Sequence, residues 1–248
     1  MKRRGMILSW FIFLLPLLSN GLADEAAHWG YTGQQGPHNW GNLDPKYSLC
    51  SKGKNQSPVN LTGMIESDLH PLTISYKSGG DEILNNGHTI QVNYKPGSTI
   101  KVNGHEFELT QFHFHSPSEN TIEGNSYPME AHLVHADKEG NLAVIAVMFN
   151  TGEKNAALET VWAHMPENAG GKAIFTESVD AQILLPNDRD YYRFNGSLTT
   201  PPCTEGVWWL VMKDFQAASK EQIDKFTKIM HGPNNRPVQT TNARAILK

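Results

Sequence analysis

Between Leu72 and Asn150 the chain is a succession of short runs rich in β-branched and aromatic residues. LTISY (72–76), HTIQVNY (88–94), STIKVNG (98–104), HEFELTQFHFH (105–115), MEAHLVHAD (129–137) and LAVIAVMFN (142–150) follow one another closely. Turn signals separate them, among them Asn86-Gly87, Pro96-Gly97, Asn103-Gly104 and Glu139-Gly140-Asn141. Runs this short, so regularly interrupted, predict strands folded against one another rather than helices. Helical patterning is confined to 153–164 and 218–230. In the second, Ser219 is a natural N-cap and Ile223, Phe226, Ile229 and Met230 mark an apolar face. The stretch Gly30–Ser57, rich in Gly, Pro, Asn and Trp, predicts irregular chain held by Trp29 and Trp40. No composition shift marks a boundary, so the expected fold is mainly β, a single domain with a few surface helices.

Within that pattern, QFHFHSPSEN (111–120) places His113 and His115 two positions apart, with Gln111 before and Glu119 after. On a strand the two imidazoles share a face, about 6.6–6.8 Å apart along the chain, while Phe112 and Phe114 point to the other. A lone His-x-His is a weak signal, since histidines also occur on wet strands. MEAHLVH repeats the arrangement, with Glu130, His132 and Val134 on one face and Ala131, Leu133 and His135 on the other. If the turn-rich segment 116–128 returns the chain antiparallel, three imidazoles converge. Three nitrogen ligands leave a fourth tetrahedral position open, as in a catalytic rather than a structural zinc site. Gln111 and Glu130, each two residues before a histidine, can hold the rings' remaining N–H groups. Two other metal patterns compete. A β-lactamase-type site needs an Asp-His pair after His-x-His, where this chain has Ser116-Pro117-Ser118. The cupin pattern His-x-His-x3-Glu fits His113, His115 and Glu119, but its Pro-x-Gly-x-x-His motif is not met by PMEAH.

Lys2, Arg3 and Arg4, the apolar run MILSWFIFLLPLL and the small residues Gly21-Leu22-Ala23 predict a cleaved signal peptide over 1–23. The mature domain is then 24–248, destined for the periplasm or the cell exterior. The apolar run is shorter than the roughly 20 residues of a spanning helix, and no later segment is apolar enough. Cleavage takes the net charge from −4 to −7 by removing Lys2, Arg3 and Arg4. An acidic protein without a basic stripe has no electrostatic route to nucleic acid or anionic lipid. In an exported chain the two cysteines, Cys50 and Cys203, are expected to form one disulfide. Closing a loop of about 150 residues stabilises by roughly 5 kcal/mol in the chain-entropy limit. It would also pin the LTTPP loop (198–202) to the N-terminal region.

HWGY (28–31), GPHNW (36–40), GKNQSPVN (53–60), LNNGH (84–88), QFHFHSPSEN, MEAHLVH, GSLTTPPCTEGVWW (196–209) and NNRPVQ (234–239) occur in one order over nearly the whole mature chain. In this the sequence resembles the α-class carbonic anhydrases, most closely the secreted bacterial members. The resemblance implies a large, mostly antiparallel twisted central sheet and reversible hydration of carbon dioxide to bicarbonate and a proton by a zinc-stabilised hydroxide. It implies that His113, His115 and His132 are the Zn2+ ligands. Gln111, Glu130 and the backbone carbonyl of Asn234 would be their outer acceptors. It makes Glu119 the partner of Thr199 rather than a ligand, and Thr199 the group that orients the nucleophile. It also implies cis peptides in blocks like Ser57-Pro58 and Pro201-Pro202.

The same resemblance points to Val134, Val144, Leu198, Val207, Trp209 and Thr200 around the substrate, and to Tyr31, Asn86 and Gln91 along a water network. Gln91 departs from the asparagine common in animal members. His88 falls where the family places its proton shuttle, a role suited to a group that titrates near neutrality. Simple alternation, however, puts His88 in phase with Ile90 and Val92, and a bulge after Asn86-Gly87 would be needed to turn it to solvent. The competing readings are a carbonic anhydrase-like binding module without activity and a cupin-type metalloenzyme. Inactive relatives lose zinc histidines, whereas all three are present here. Oligomeric state is not written in these residues, and a homodimer remains open.

Overall fold

Every residue from Ala143 to Phe149 is buried. Such a run fits only where both faces of a sheet are covered. The computed structural model of the protein describes residues 27–248; the leader expected over 1–23 lies outside them. Strands β1 (Asn60–Leu61), β2 (Thr73–Ser75), β3 (Gly80–Asn85), β4 (Ile90–Tyr94) and β5 (Thr99–Val102) come first. They are followed by β6 (His105–His115), β7 (Thr121–Ile122), β8 (Met129–Ala136) and β9 (Leu142–Thr151). The C-terminal part adds β10 (Lys172–Val179), β11 (Tyr191–Ser197), β12 (Glu205–Met212) and β13 (Gln216–Ala218). An 11-stranded sheet runs in the order β10-β3-β4-β6-β8-β9-β12-β11, with β5 and β2 continuing from β6 and β13 joined to β9. Most pairings are antiparallel; β9 pairs parallel with both β12 and β13.

Alternation sorts the side chains onto two cores. Phe112, Phe114, Ala131, Leu133, Ile145 and Val147 enter the larger one. Helices α3 (Ala156–Trp162) and α4 (Lys220–Ile229) cover it through Leu158, Val161, Trp162, Ile223 and Phe226. Val144, Ala146, Met148, Trp209 and Val211 face the other way into a second cluster. Deleting a fully buried ring such as Phe112 from so dense a core costs about 3–5 kcal/mol. Ser219 caps α4 in a reciprocal capping box with Gln222. The helix expected over 153–164 is the shorter α3, which begins only after Asn155, its N-cap, whose side chain accepts from Ala157 N and Leu158 N.

The N-terminal stretch is more ordered than irregular chain. It contains two single-turn helices, α1 (Trp40–Leu43) and α2 (Leu49–Lys52), packed round the buried Trp40. The Trp40 indole N–H donates to Gly30 O at 2.9 Å and Gln35 O at 3.0 Å. The disulfide Cys50–Cys203 is formed, with Cα atoms 5.0 Å apart. Cis peptides precede Pro58, Pro117 and Pro202. No helix among the described residues is long and apolar enough to cross a membrane.

One buried polar pair has a measurable consequence. His135 is fully buried; its Nε2 lies 2.6 Å from the Tyr76 hydroxyl and its Nδ1 lies 3.2 Å from Ala143 O. Burial pushes its pKa from 6.5 down to about 4. The unfolded chain therefore binds a proton that the folded chain refuses between pH 6.5 and about 4. Stability falls as pH falls through that window, by about 3 kcal/mol for this group, and is unaffected by it above. In urea denaturation measured across the window, His135→Gln is expected to flatten the acid limb; a limb as steep as the parent's contradicts this origin.

Candidate metal centre

The pairing of β6 with β8 sets His113 directly opposite His132, and His115 opposite Glu130. Directly opposed residues of an antiparallel pair project to the same face. One ring nitrogen from each of His113, His115 and His132 lies within 4.8 Å of the others. Each ring is held from behind by an acceptor oxygen. His113 Nδ1 meets Gln111 Oε1 at 2.9 Å, His115 Nδ1 meets Asn234 O at 2.7 Å, and His132 Nε2 meets Glu130 Oε1 at 2.9 Å. Those contacts fix the tautomers. The N–H groups point away, and the lone pairs of His113 Nε2, His115 Nε2 and His132 Nδ1 turn toward one another.

His115 Nε2 is buried without a protein partner. Leaving such a group unsatisfied costs about 1–3 kcal/mol. Three converging lone pairs therefore suit a single electron-pair acceptor, and the donor set fits a divalent metal of the zinc kind. Burial and the neighbouring imidazoles hold His113 and His132 well below the usual histidine range, and burial lowers His115. The rings are thus neutral, as ligation requires. His113 is the least buried of the three, so the set opens to solvent on its side.

Two carboxylates lie close by in different settings. Glu130 is buried and accepts from Glu119 N, Asn120 N and Asn120 Nδ2 at 2.7–2.9 Å besides His132. Glu119 does not join the converging set. Its Oε1 accepts from Arg236 N at 2.8 Å, and its Oε2 stands 3.5 Å from His115 Nε2 and 3.9 Å from His132 Nδ1. Burial pushes its pKa up to about 8, against the Arg236 N–H and the Thr199 hydroxyl, which favour ionisation. A dication held by the adjacent rings would add to those two. Oε2 has no hydrogen bond of regular geometry. The Thr199 hydroxyl is nonetheless the side-chain donor that acts on this carboxylate.

Thr199 sits on a loop anchored at many points. Leu198 N donates to Thr204 O at 2.9 Å and Cys203 N to Thr200 O at 2.8 Å. The disulfide holds Cys203, and Gln56 Nε2 donates to its carbonyl at 3.0 Å. Ser57 N and Ser197 N each donate to the other's hydroxyl, at 2.9 and 3.1 Å. Sequence reasoning missed Arg236. Its buried guanidinium donates to Gln56 Oε1, Ser57 O and Cys50 O at 2.7–2.9 Å and lies over Trp40. Desolvation lowers its pKa to about 10. The only advance signal was an arginine beside Asn234 in NNRPVQ; its partners are 179–186 residues away.

Of the remaining candidates, Gln91, Val134, Val144 and Trp209 fall on the histidine face. Gln91 is opposite His113, and Asn93 is opposite Gln111. Val134, Val144 and Trp209 form one row across β8, β9 and β12. Val207 is buried beside them, and Leu198 packs half-buried on the same cluster. The Trp209 ring stands 4.9 Å from His132. His88 is not a strand residue, because β4 begins only at Ile90. Asn86 Oδ1 caps the turn by accepting from His88 N and Thr89 N at 2.9 and 2.8 Å, which removes the phase conflict without a bulge. The half-buried His88 ring stacks on Trp29 with centroids 3.7 Å apart and planes 8° apart. The Tyr31 hydroxyl is buried without a partner, and burial together with Glu119 raises its pKa.

The sequence pattern of the eukaryotic-type carbonic anhydrase family matches residues 35–248. A carbonic anhydrase of Neisseria gonorrhoeae is 50% identical, covering 89% of this chain and 88% of its own length. A hyperthermostable carbonic anhydrase from a hydrothermal vent chimney superposes with TM-score 0.87 at 55% identity, over 89% of this chain and 99% of that one. The α-carbonic anhydrase of Thermovibrio ammonificans, solved with sulfanilamide, gives TM-score 0.88 at 50% identity, over 90% and 99%.

Removing one imidazole should abolish stoichiometric metal binding. His132→Ala is expected to retain little metal after dialysis while keeping its circular dichroism spectrum. Gln111→Ala, which frees only the back of His113, should weaken binding by roughly 10- to 100-fold. Unchanged metal content in both variants would reject the centre.

Proposed function

This chain belongs to the eukaryotic-type, α-class, carbonic anhydrase family, and from that premise we propose that its three-histidine centre holds zinc for the reversible hydration of carbon dioxide. The observation that carries the reading is the set of fixed tautomers: three neutral rings, each backed by an acceptor, aim three lone pairs at one point. Zinc bound there would supply Lewis acidity, making water a nucleophile near neutral pH, a property for which carbonic anhydrases are the general reference case.

The chain's own residues supply orientation, a dry surface and a proton path. Thr199, with its hydroxyl proton directed to ionised Glu119, presents only lone pairs to the attacking water and so selects one approach. Arg236 N–H holds the other carboxylate oxygen in place. Val134, Val144, Leu198, Val207 and Trp209 form an apolar patch beside the triad that suits carbon dioxide, and we assign Thr200 to the same pocket. His88, its pKa lowered by burial and by His28, is neutral at pH 7 and free to take a proton toward solvent. Asn86, Gln91 and Tyr31 are the polar groups we assign to the water between.

We place the reaction in the periplasm or outside the cell, consistent with the disulfide and with the leader expected over 1–23. A binding module without activity is disfavoured because the ligand set, Glu119 and Thr199 are all retained. A cupin-type site is disfavoured because Glu119 stands outside the converging nitrogens.

Stopped-flow assays of carbon dioxide hydration should show high activity in zinc-replete protein, loss on chelation and recovery on adding zinc back. Turnover that survives chelation would overturn the assignment. His88→Ala should lower kcat by roughly tenfold or more in weak buffer, with kcat/KM little changed and recovery in imidazole. A kcat indifferent to buffer would remove His88 from proton transfer.

A further inference from the structure

On the face that carries Gln91 there is a row of side chains whose donors all point one way. Asn86 Nδ2 donates to Gln91 Oε1 at 3.4 Å, Gln91 Nε2 to Asn93 Oδ1 at 2.7 Å, and Asn93 Nδ2 to Glu82 Oε1 at 2.8 Å. A carboxamide carries a donor and an acceptor of equal size and can be turned either way. Here both ends of the row remove that choice. Glu82, paired with Lys172 at 3.3 Å, can only accept. Asn86 Oδ1 already receives the backbone N–H groups of His88 and Thr89, so its amino group must face Gln91. Reversing any one amide would set donor against donor or oxygen against oxygen.

Strand register makes the row part of the site. Glu82 is directly opposite Asn93, and Gln91 is directly opposite His113. The two contacts nearest Glu82 are the short ones, and the contact nearest His88 is the long one. Direction is therefore imposed chiefly from the Glu82 end. We propose that Glu82 is a positioning residue for proton transfer: through Asn93 and Gln91 it sets the direction of the row ending on Asn86, and so helps hold the turn that presents His88. Asn234 Nδ2, which donates to His88 O at 3.0 Å, steadies the turn from the other side, so losing the row loosens His88 without releasing it. The proposal rests on the reading of His88 as the proton-transfer group.

Glu82→Gln keeps the shape but adds a donor, so the Glu82 end no longer imposes a direction and only the long Asn86 contact opposes reversal of Gln91 and Asn93. Adding Asn93→Asp moves the accept-only group one place inward and restores the original direction. For E82Q we expect a several-fold lower kcat in weak buffer, smaller than the loss in His88→Ala, with kcat/KM unchanged and recovery in imidazole. The E82Q/N93D double variant should return toward the parent. In metal-free protein the Gln91 side-chain amide resonances should shift in E82Q and move back in the double variant. Parental kcat with unmoved Gln91 resonances in E82Q overturns the proposal, as does a double variant no better than the single. Should His88→Ala show no rescue by imidazole, the shuttle reading falls and takes the kinetic part of this proposal with it. The Gln91 resonances alone then decide whether Glu82 directs the row.

Discussion

The site depends on three imidazoles each having one nitrogen committed. A neutral imidazole offers one donor and one acceptor, and which is which follows from what the other nitrogen touches. Gln111 Oε1 and Asn234 O can only accept, as can Glu130 Oε1 while its carboxylate is ionised. Burial disfavours protonating the rings, so the converging nitrogens are left as lone pairs. Without those partners the same histidines would rotate, swap tautomers or bond to water. Glu130 binds this arrangement into the chain most firmly, because its carboxylate also gathers the backbone of Glu119 and Asn120. A single buried group thus orients a ring and fixes the start of the segment that carries Glu119.

Precision at Thr199 arises differently, from chain segments far apart in sequence. The loop 198–204 has little regular structure of its own, and loops of that kind are ordinarily mobile. Here a disulfide, a reciprocal serine pair and Gln56 close it against residues 50–57. Arg236 then ties that N-terminal segment to Glu119, since its guanidinium holds Cys50 O, Gln56 and Ser57 O while its own N–H holds the carboxylate. Burying a guanidinium is costly unless its donors are met. Three good acceptors and the Trp40 face offset much of that cost, and the resulting clamp orients both partners of the hydroxyl approach together.

What was legible in the sequence was whatever alternation carries. The strands bearing the histidines could be read because each residue's neighbours two positions away share its environment. Their apolar faces, Phe112 with Phe114 and Ala131 with Leu133, are indeed in the core. Strands β3 and β10 were not foreseen, because β10 lies at the sheet edge with mostly exposed residues and β3 begins at Gly80 with two charged residues. EGVWWLVM was read only as far as Trp209, within a motif, and YYRFN not at all, so neither β11 nor β12 was foreseen as a strand. The position of His88 was misjudged by assuming that the run from 88 to 94 is strand throughout; a side-chain cap from Asn86 ends the turn first. The role of Arg236 could not be read, because a charge is buried by partners that no local pattern reveals.

One sheet face meets two opposed demands through its register. A row of Gln91, His113 and His132 runs across β4, β6 and β8. The neighbouring row changes character along its length, from Asn93 and Gln111 to Val134, Val144 and Trp209. The polar half lies toward β4 and the turn of His88, where the proposed reaction would order water. The apolar half lies toward β12, where an uncharged, weakly hydrated substrate would displace water at little cost. A one-residue slip of β8 against β6 would replace His132 on that face by Ala131 and Leu133. The large core behind the sheet opposes that slip. The energy that keeps those aromatic and aliphatic side chains out of water is therefore also what keeps the polar and apolar halves of that face on opposite sides of the three rings.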